Sequence, residues 1–234
     1  MKMTLEICAN SFQSAKNAQL AGADRIELCQ ELSLGGLTPS YGLLKMVLSQ
    51  IDIETFVLIR PRSGSFCYSD YEFEIMKENI KMSKNLGCHG IVSGVLLKDH
   101  RIDIERLKTL VELSKPLPFT FHRAFDCVPD PLEALDTLIN LNINRVLTSG
   151  QKLKAENGLP LLLELQKKAK DSIIIMPGSG INSNNITQFK ATNFKELHAS
   201  ASVQLQNTKT SAIYDSPQTV SDLKKIKSLL KQMQ

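Results

Sequence analysis

Short apolar runs recur along this chain, and each is followed by a stretch with helical spacing. Eight runs are legible: Thr4–Ala9, Arg25–Gln30, Thr55–Arg62, Gly90–Leu96, Pro118–Asp126, Asn144–Gly150, Ser172–Gly178 and Lys195–Ser200. They read as strands. The segments between them carry helix start signals. Asn10 with Gln13 and Ser69 with Glu72 have the spacing of a capping box. Thr38-Pro39 and Ser216-Pro217 each place a cap residue before a proline at the first helical position. Asp130-Pro131-Leu132-Glu133 combines all three signals, and Leu132, Leu135, Leu138 and Ile139 then keep one helical face. Gly22 and Gly87 fall where helices should end.

Eight strand–helix units predict an α/β fold, a (β/α)₈ TIM barrel built as a single domain over residues 1–234. An open doubly wound sheet is the competing topology. It would carry a glycine-rich phosphate loop after its first strand. Here that strand runs into Ala9-Asn10-Ser11-Phe12, without glycine, so no nucleotide cofactor is indicated. The one long irregular piece, Val203–Asp215, is polar and weakly patterned and is expected to be a mobile loop.

Composition narrows the class. The chain has 234 residues, 42% hydrophobic and 22% charged, which excludes disorder and collagen-like or low-complexity scaffolds. Twenty-eight basic against 24 acidic residues leave a net +4, with no basic run. No nucleic-acid or membrane-surface partner is expected. The five cysteines are odd in number and form no C-x-x-C pair. That argues against a disulfide framework or a structural zinc site and for a reducing, cytoplasmic setting. No signal peptide and no membrane span is read from the sequence.

Strand parity exposes the candidate chemistry, because alternate side chains face opposite sides of a strand. Leu5 and Ile7 oppose Glu6 and Cys8; Ile26 and Leu28 oppose Arg25, Glu27 and Cys29. Val57 and Ile59 oppose Arg60 and Arg62; Phe119 and Phe121 oppose His122 and Asp126; Leu197 opposes Glu196, His198 and Ser200. The apolar sets should face the helices and the polar sets the barrel interior. An unpaired interior charge costs several kcal/mol. Two readings account for the polar set. One is an internal salt-bridge network in which Arg25, Arg60 and Arg62 neutralise Glu6 and Glu27. The other is a site at the C-terminal mouth, where barrel enzymes place theirs.

As a site, the residues divide by role. Arg60 and Arg62 can clamp an anion. Gly178-Ser179-Gly180 follows the seventh strand, Thr148-Ser149 the sixth and Ser200 the eighth, in the region where barrels hold phosphate; His198 belongs with this anion-binding set. His122 is the leading acid/base candidate, with Asp126 to orient it and Glu6 or Glu27 to share the proton. That set suits an isomerase- or lyase-type enzyme, or a sensor, for a small anionic metabolite that could be phosphorylated. Cys8 and Cys29 share inward parity on consecutive strands, so their sulfurs can approach, and two thiolates suit Cu(I). A small buried hydrophobe is the alternative role for each.

Gly22-Ala-Asp-Arg-Ile-Glu-Leu-Cys29, Gly35-Gly-Leu-Thr-Pro-Ser40, Ile59-Arg-Pro-Arg62, Thr120-Phe-His-Arg-Ala-Phe-Asp126 and Leu147-Thr-Ser-Gly150 resemble the CutC family. The likeness runs from Glu6 to about Ser200. It implies a (β/α)₈ barrel, a cytoplasmic location, frequent homo-oligomers (dimer or tetramer) and a role in copper homeostasis. It also implies Cu(I) binding through cysteines that look like Cys8 and Cys29. After Ser202 a Gln/Asn/Thr-rich segment departs from the family pattern.

Overall fold

The computed structural model describes residues 3–205 and 218–233. Eight parallel strands form one sheet: β1 (Thr4–Ala9), β2 (Arg25–Leu28), β3 (Glu54–Leu58), β4 (Gly90–Ser93), β5 (Phe119–Phe121), β6 (Arg145–Thr148), β7 (Ile174–Pro177) and β8 (Glu196–Ala199). Their order, β7-β6-β5-β4-β3-β2-β1-β8, brings β8 back beside β1. The sheet is therefore a nearly closed barrel, with β7 and β8 facing across the last seam. A methyl group on Gly178 would lie 3.2 Å from His198 Cβ, so glycine permits the close approach there. The helices are α1 (Phe12–Ala21), α2 (Tyr41–Gln50), α3 (Asp70–Asn85), α4 (Ile104–Ser114), α5 (Pro131–Asn140), α6 (Leu159–Ala169), α7 (Ile186–Lys190) and α8 (Leu223–Met233). No helix among the described residues is long and apolar enough to cross a membrane.

The local signals mostly act where they were read. Ser69 and Glu72 form a reciprocal capping box at α3, and Asp130 accepts the N–H groups of Leu132 and Glu133 at α5. Gly22 ends α1 at φ 86°. Two starts shift. Ser11, not Asn10, caps α1, and Ser40, not Thr38, caps α2. The Thr38 hydroxyl instead accepts the Arg60 N–H at 2.8 Å, a long-range bond that spacing cannot show. Ser216-Pro217 lies outside the described residues, and α8 begins only at Leu223.

The stretch expected to be a loop from Val203 begins instead as a strand. β9 (Ser202–Gln204) pairs antiparallel with β10 (Thr219–Ser221); residues 206–217 lie outside the described residues. The hairpin is tied to the mouth end of β1, since the Ser221 hydroxyl donates to the Cys8 carbonyl at 3.1 Å. Strands of three residues carry too little alternation to be read.

Parity holds around the barrel. Leu5, Ile7, Ile26, Leu28, Val57, Ile59, Phe119, Phe121 and Leu197 belong to the continuous apolar layer between sheet and helices. Phe56, Leu58, Val92, Cys8 and Cys29 form a separate interior cluster. Phe56 lies between two guanidinium groups, 4.6 Å from Arg25 Cζ and 4.8 Å from Arg145 Cζ. Gly90 gives that ring its space, for a methyl there would lie 2.5 Å from Phe56 Cζ.

Candidate metal and ligand site at the barrel mouth

The deepest polar layer is an ion-pair network. Arg25 Nε donates to Glu6 Oε2 at 2.5 Å, and Arg25 Nη2 pairs with Glu196. Arg145 Nε donates to Glu196 Oε2 at 3.1 Å and its Nη1 to Thr120 Oγ1 at 3.3 Å. Two arginines and two glutamates thus neutralise one another. The network read from sequence exists, with different members. Arg60 and Arg62 take no part in it, and Arg145, which sequence reading missed, supplies the second cation. Its inward parity, opposite Val146, was the available signal. Burial by itself would raise the Glu6 carboxyl, but the Arg25 charge and the His198 hydrogen bond hold it at about 2. Glu6 is fully buried and supports His198 from below; it does not line the mouth.

Above this layer lies the floor of a cavity of about 520 Å³. Cys8 stands opposite Glu27 in the β1–β2 register, and Cys29 follows two residues later on the same face. The two Sγ atoms are 3.5 Å apart, and Cys8 Sγ is also 3.5 Å from Glu27 Oε2. Both thiols are free. His198 Nδ1 lies 2.7 Å from Glu6 Oε1, while its Nε2 lies 3.9 Å from Glu27 Oε2. Cys8, Glu27 and His198 each present a metal-ligating atom within 4.8 Å of the others. The neighbouring Cys29 thiol, burial and Glu27 push the Cys8 thiol well up. Burial disfavours the His198 imidazolium, but Cys8, Glu6 and Glu27 together raise it well above its ordinary range. Burial, then the Glu6 charge, raises Glu27. The resting floor therefore favours a neutral Cys8 thiol beside a protonated His198.

The walls come from the loops after β3, β5, β7 and β8. Arg60, Phe66, His122, Ser179, Gly180 and Ser200 all line the cavity. The bidentate arginine clamp expected from sequence is not formed. Arg62 turns away to Glu72, at 2.5 Å, and to the Ser63, Ser65 and Cys67 carbonyls, so it braces the start of α3. Arg60 stays at the mouth, but its Nη1 donates to the Leu34 and Gly36 carbonyls and its Nη2 to that of Gly64. His122 caps a 3₁₀ turn, its Nδ1 accepting the Ala124 N–H at 3.2 Å. Burial and the Arg60 charge lower it to about 3, so it is neutral at ordinary pH.

Asp126 lines the mouth but does not orient His122. It accepts from the Thr148 hydroxyl at 2.5 Å, from the Ser149 and Gln151 N–H groups and from the Ser149 hydroxyl, and it pairs with Arg123. Thr148 and Ser149 are thereby engaged in a brace between the β5 and β6 loops and do not offer free hydroxyls. Gly178 donates its N–H to the Thr148 carbonyl, and the Ser179 hydroxyl donates to the Leu153 carbonyl. No long helix starts behind this loop, because α7 has five residues and begins at Ile186. Its phosphate-cradle geometry is thus weaker than the sequence suggested. Ser200 Oγ lies 3.3 Å from Ser202 Oγ at the rim.

Fold and site together define a TIM-barrel protein with a polar, thiol-containing mouth. Residues 3–203 match the model of the CutC family, and the chain belongs to that family. It is 48% identical over 198 residues to the human copper homeostasis protein cutC homolog, covering 84% of this chain and 72% of that protein. It is 49% identical over 205 residues to a family protein CutC of Parabacteroides distasonis, covering 86% and 84%. A CutC crystal structure from Streptococcus agalactiae superposes with TM-score 0.80 at 33% identity, covering 86% of this chain and 99% of that one.

Proposed function

We propose that this protein binds Cu(I) between Cys8 and Cys29 on the floor of the barrel mouth and handles copper in a reducing cytosol. The observation that carries this reading is the pair of free sulfurs 3.5 Å apart, Cys8 lining an accessible cavity and Cys29 fully buried behind it. Thiolate donors suit Cu(I), and the His198 ring stands beside Cys8, within 4.8 Å of its sulfur, as the cation that balances the complex. The arginines below the floor are balanced by Glu6 and Glu196, so they do not oppose a cation. Binding exchanges protons for metal: two S–H bonds break, two S–Cu bonds form, and two protons leave. The bis-thiolate complex carries one negative charge, which the His198 imidazolium offsets.

A competition titration against a chromophoric Cu(I) chelator tests the assignment under reducing conditions. Cys8→Ser with Cys29→Ser should abolish competition while circular dichroism shows an intact barrel. Unchanged affinity in that folded variant would overturn the reading.

A further inference from the structure

The mouth also holds two groups, Arg60 and His122, that the copper reading does not use. The chain has seven arginines. Six of them (Arg25, Arg62, Arg101, Arg106, Arg123 and Arg145) meet a carboxylate within 4.0 Å. Arg60 meets none among the described residues, although it is only 7% exposed. Carbonyl oxygens occupy its Nη atoms and hold the guanidinium in place, but they carry no counter-charge. Its Nε is buried and has no hydrogen-bond partner among the described residues. A buried cation without a counter-ion is costly.

His122 repeats the pattern beside the same Phe66 ring. Arg60 Cζ lies 5.1 Å from the Phe66 centroid, and the His122 ring centroid lies 4.9 Å from it. His122 is 4% exposed. Its Nδ1 accepts from Ala124, so in the neutral ring the proton is on Nε2. That Nε2–H donor is buried and has no partner among the described residues. An orphaned donor costs about 1–3 kcal/mol. Two buried donor atoms without a hydrogen-bond partner among the described residues, one of them on a cation, thus belong to side chains lining one cavity.

We infer that the mouth binds a small organic oxyanion, a carboxylate or phosphate, whose oxygens accept from Arg60 Nε and His122 Nε2. The anion supplies the missing charge and the missing acceptor together. The cavity of about 520 Å³ falls within the size range of small-molecule sites. Glu27 and His198 lie at the floor of the same cavity and face the remainder of the ligand, which selects a molecule with a hydroxyl or carbonyl group at its other end. This site needs no metal. It replaces the Arg60–Arg62 clamp with an Arg60–His122 pair on the loops after β3 and β5.

The test is thermal unfolding and calorimetric titration of the full chain with inorganic phosphate and with a set of small hydroxy- and oxo-carboxylates. Chloride at matched ionic strength is the control, and a Cu(I) chelator is present throughout. The expected result is a saturable rise in Tm of about 5–10 °C at a hundredfold excess over Kd. Phosphate alone binding marks the phosphate class; a carboxylate alone marks the acid class. His122→Asn keeps an acceptor for the Ala124 N–H and removes the Nε2 donor. It should weaken binding roughly tenfold with little change in the Tm of the free protein. Arg60→Gln should abolish binding, and if that variant fails to fold, His122→Asn decides. No saturable binding by either class, or full affinity in folded His122→Asn, overturns the inference. Because copper is chelated throughout, these outcomes are independent of the Cu(I) titration.

Discussion

Replacing Arg25 with methionine is the sharpest test of how the interior is held together. Arg25 is 3% exposed and Glu6 fully buried, and Arg25 bridges Glu6 to Glu196. The substitution keeps an unbranched side chain but leaves Glu6 without its main counter-charge. The held-down carboxyl sets the scale. Its fall from 4.5 to about 2 corresponds to about 3 kcal/mol, at about 1.36 kcal/mol per pH unit. Breaking a buried pair costs about 3–5 kcal/mol by the same logic. Because Glu6 is depressed in the folded state, its contribution is complete above pH 4.5 and is lost as pH falls toward about 2. In Arg25→Met the Glu6 carboxyl rises, so the deficit relative to wild type should be largest near neutrality and shrink below pH 4.5. Urea unfolding at pH 7 and pH 3.5, with the m-value as a check on two-state behaviour, measures it. Arg25→Met with Glu6→Gln should recover about half the loss or more, because neither charge is then left alone. A loss under about 1 kcal/mol at pH 7, or a deficit that does not shrink in acid, would refute the reasoning.

Three further outcomes follow from the same geometry. Asp126→Ala removes an acceptor shared by Thr148, Ser149 and Gln151; it should cost about 2–3 kcal/mol, and about 4–12 °C in Tm, by thermal unfolding. Gly90→Ala drives a methyl to 2.5 Å from Phe56 and should cost about 1–3 kcal/mol by overpacking, with Phe56→Leu alongside it relieving part of that loss in urea titrations. Cu(I) affinity should rise between pH 6 and 8, because the Cys8 thiol is pushed well up and metal must displace its proton; a flat profile in the chelator competition would argue against thiolate ligation.

Much of the mouth was legible because two periodicities coincide. The strand period put Glu6, Cys8, Arg25, Glu27, Cys29 and His198 on one face, and the strand–helix alternation put those faces inside a barrel. The hydrogen-bond partners were not legible. Arg62 and Arg60 have the same parity and sit two residues apart. One meets Glu72 and leaves the mouth; the other donates its Nη groups to carbonyls and stays. Asp126 looked like a partner for His122 because it is four residues away. The intervening 3₁₀ turn instead aims it at the β6 loop.

The amino-acid sequence alone determined the eight-unit barrel, the inward polar faces and the proximity of Cys8 and Cys29. Each of these rests on local periodicity or on strand adjacency, which short-range sterics and burial dictate. Only the tertiary structure decided which charges cancel. It paired Arg25 and Arg145 with Glu6 and Glu196, withdrew Arg62 and left Arg60 and His122 each with a donor that no described residue accepts. Pairing of that kind depends on distances between residues far apart in the chain, and side-chain type and spacing do not encode them.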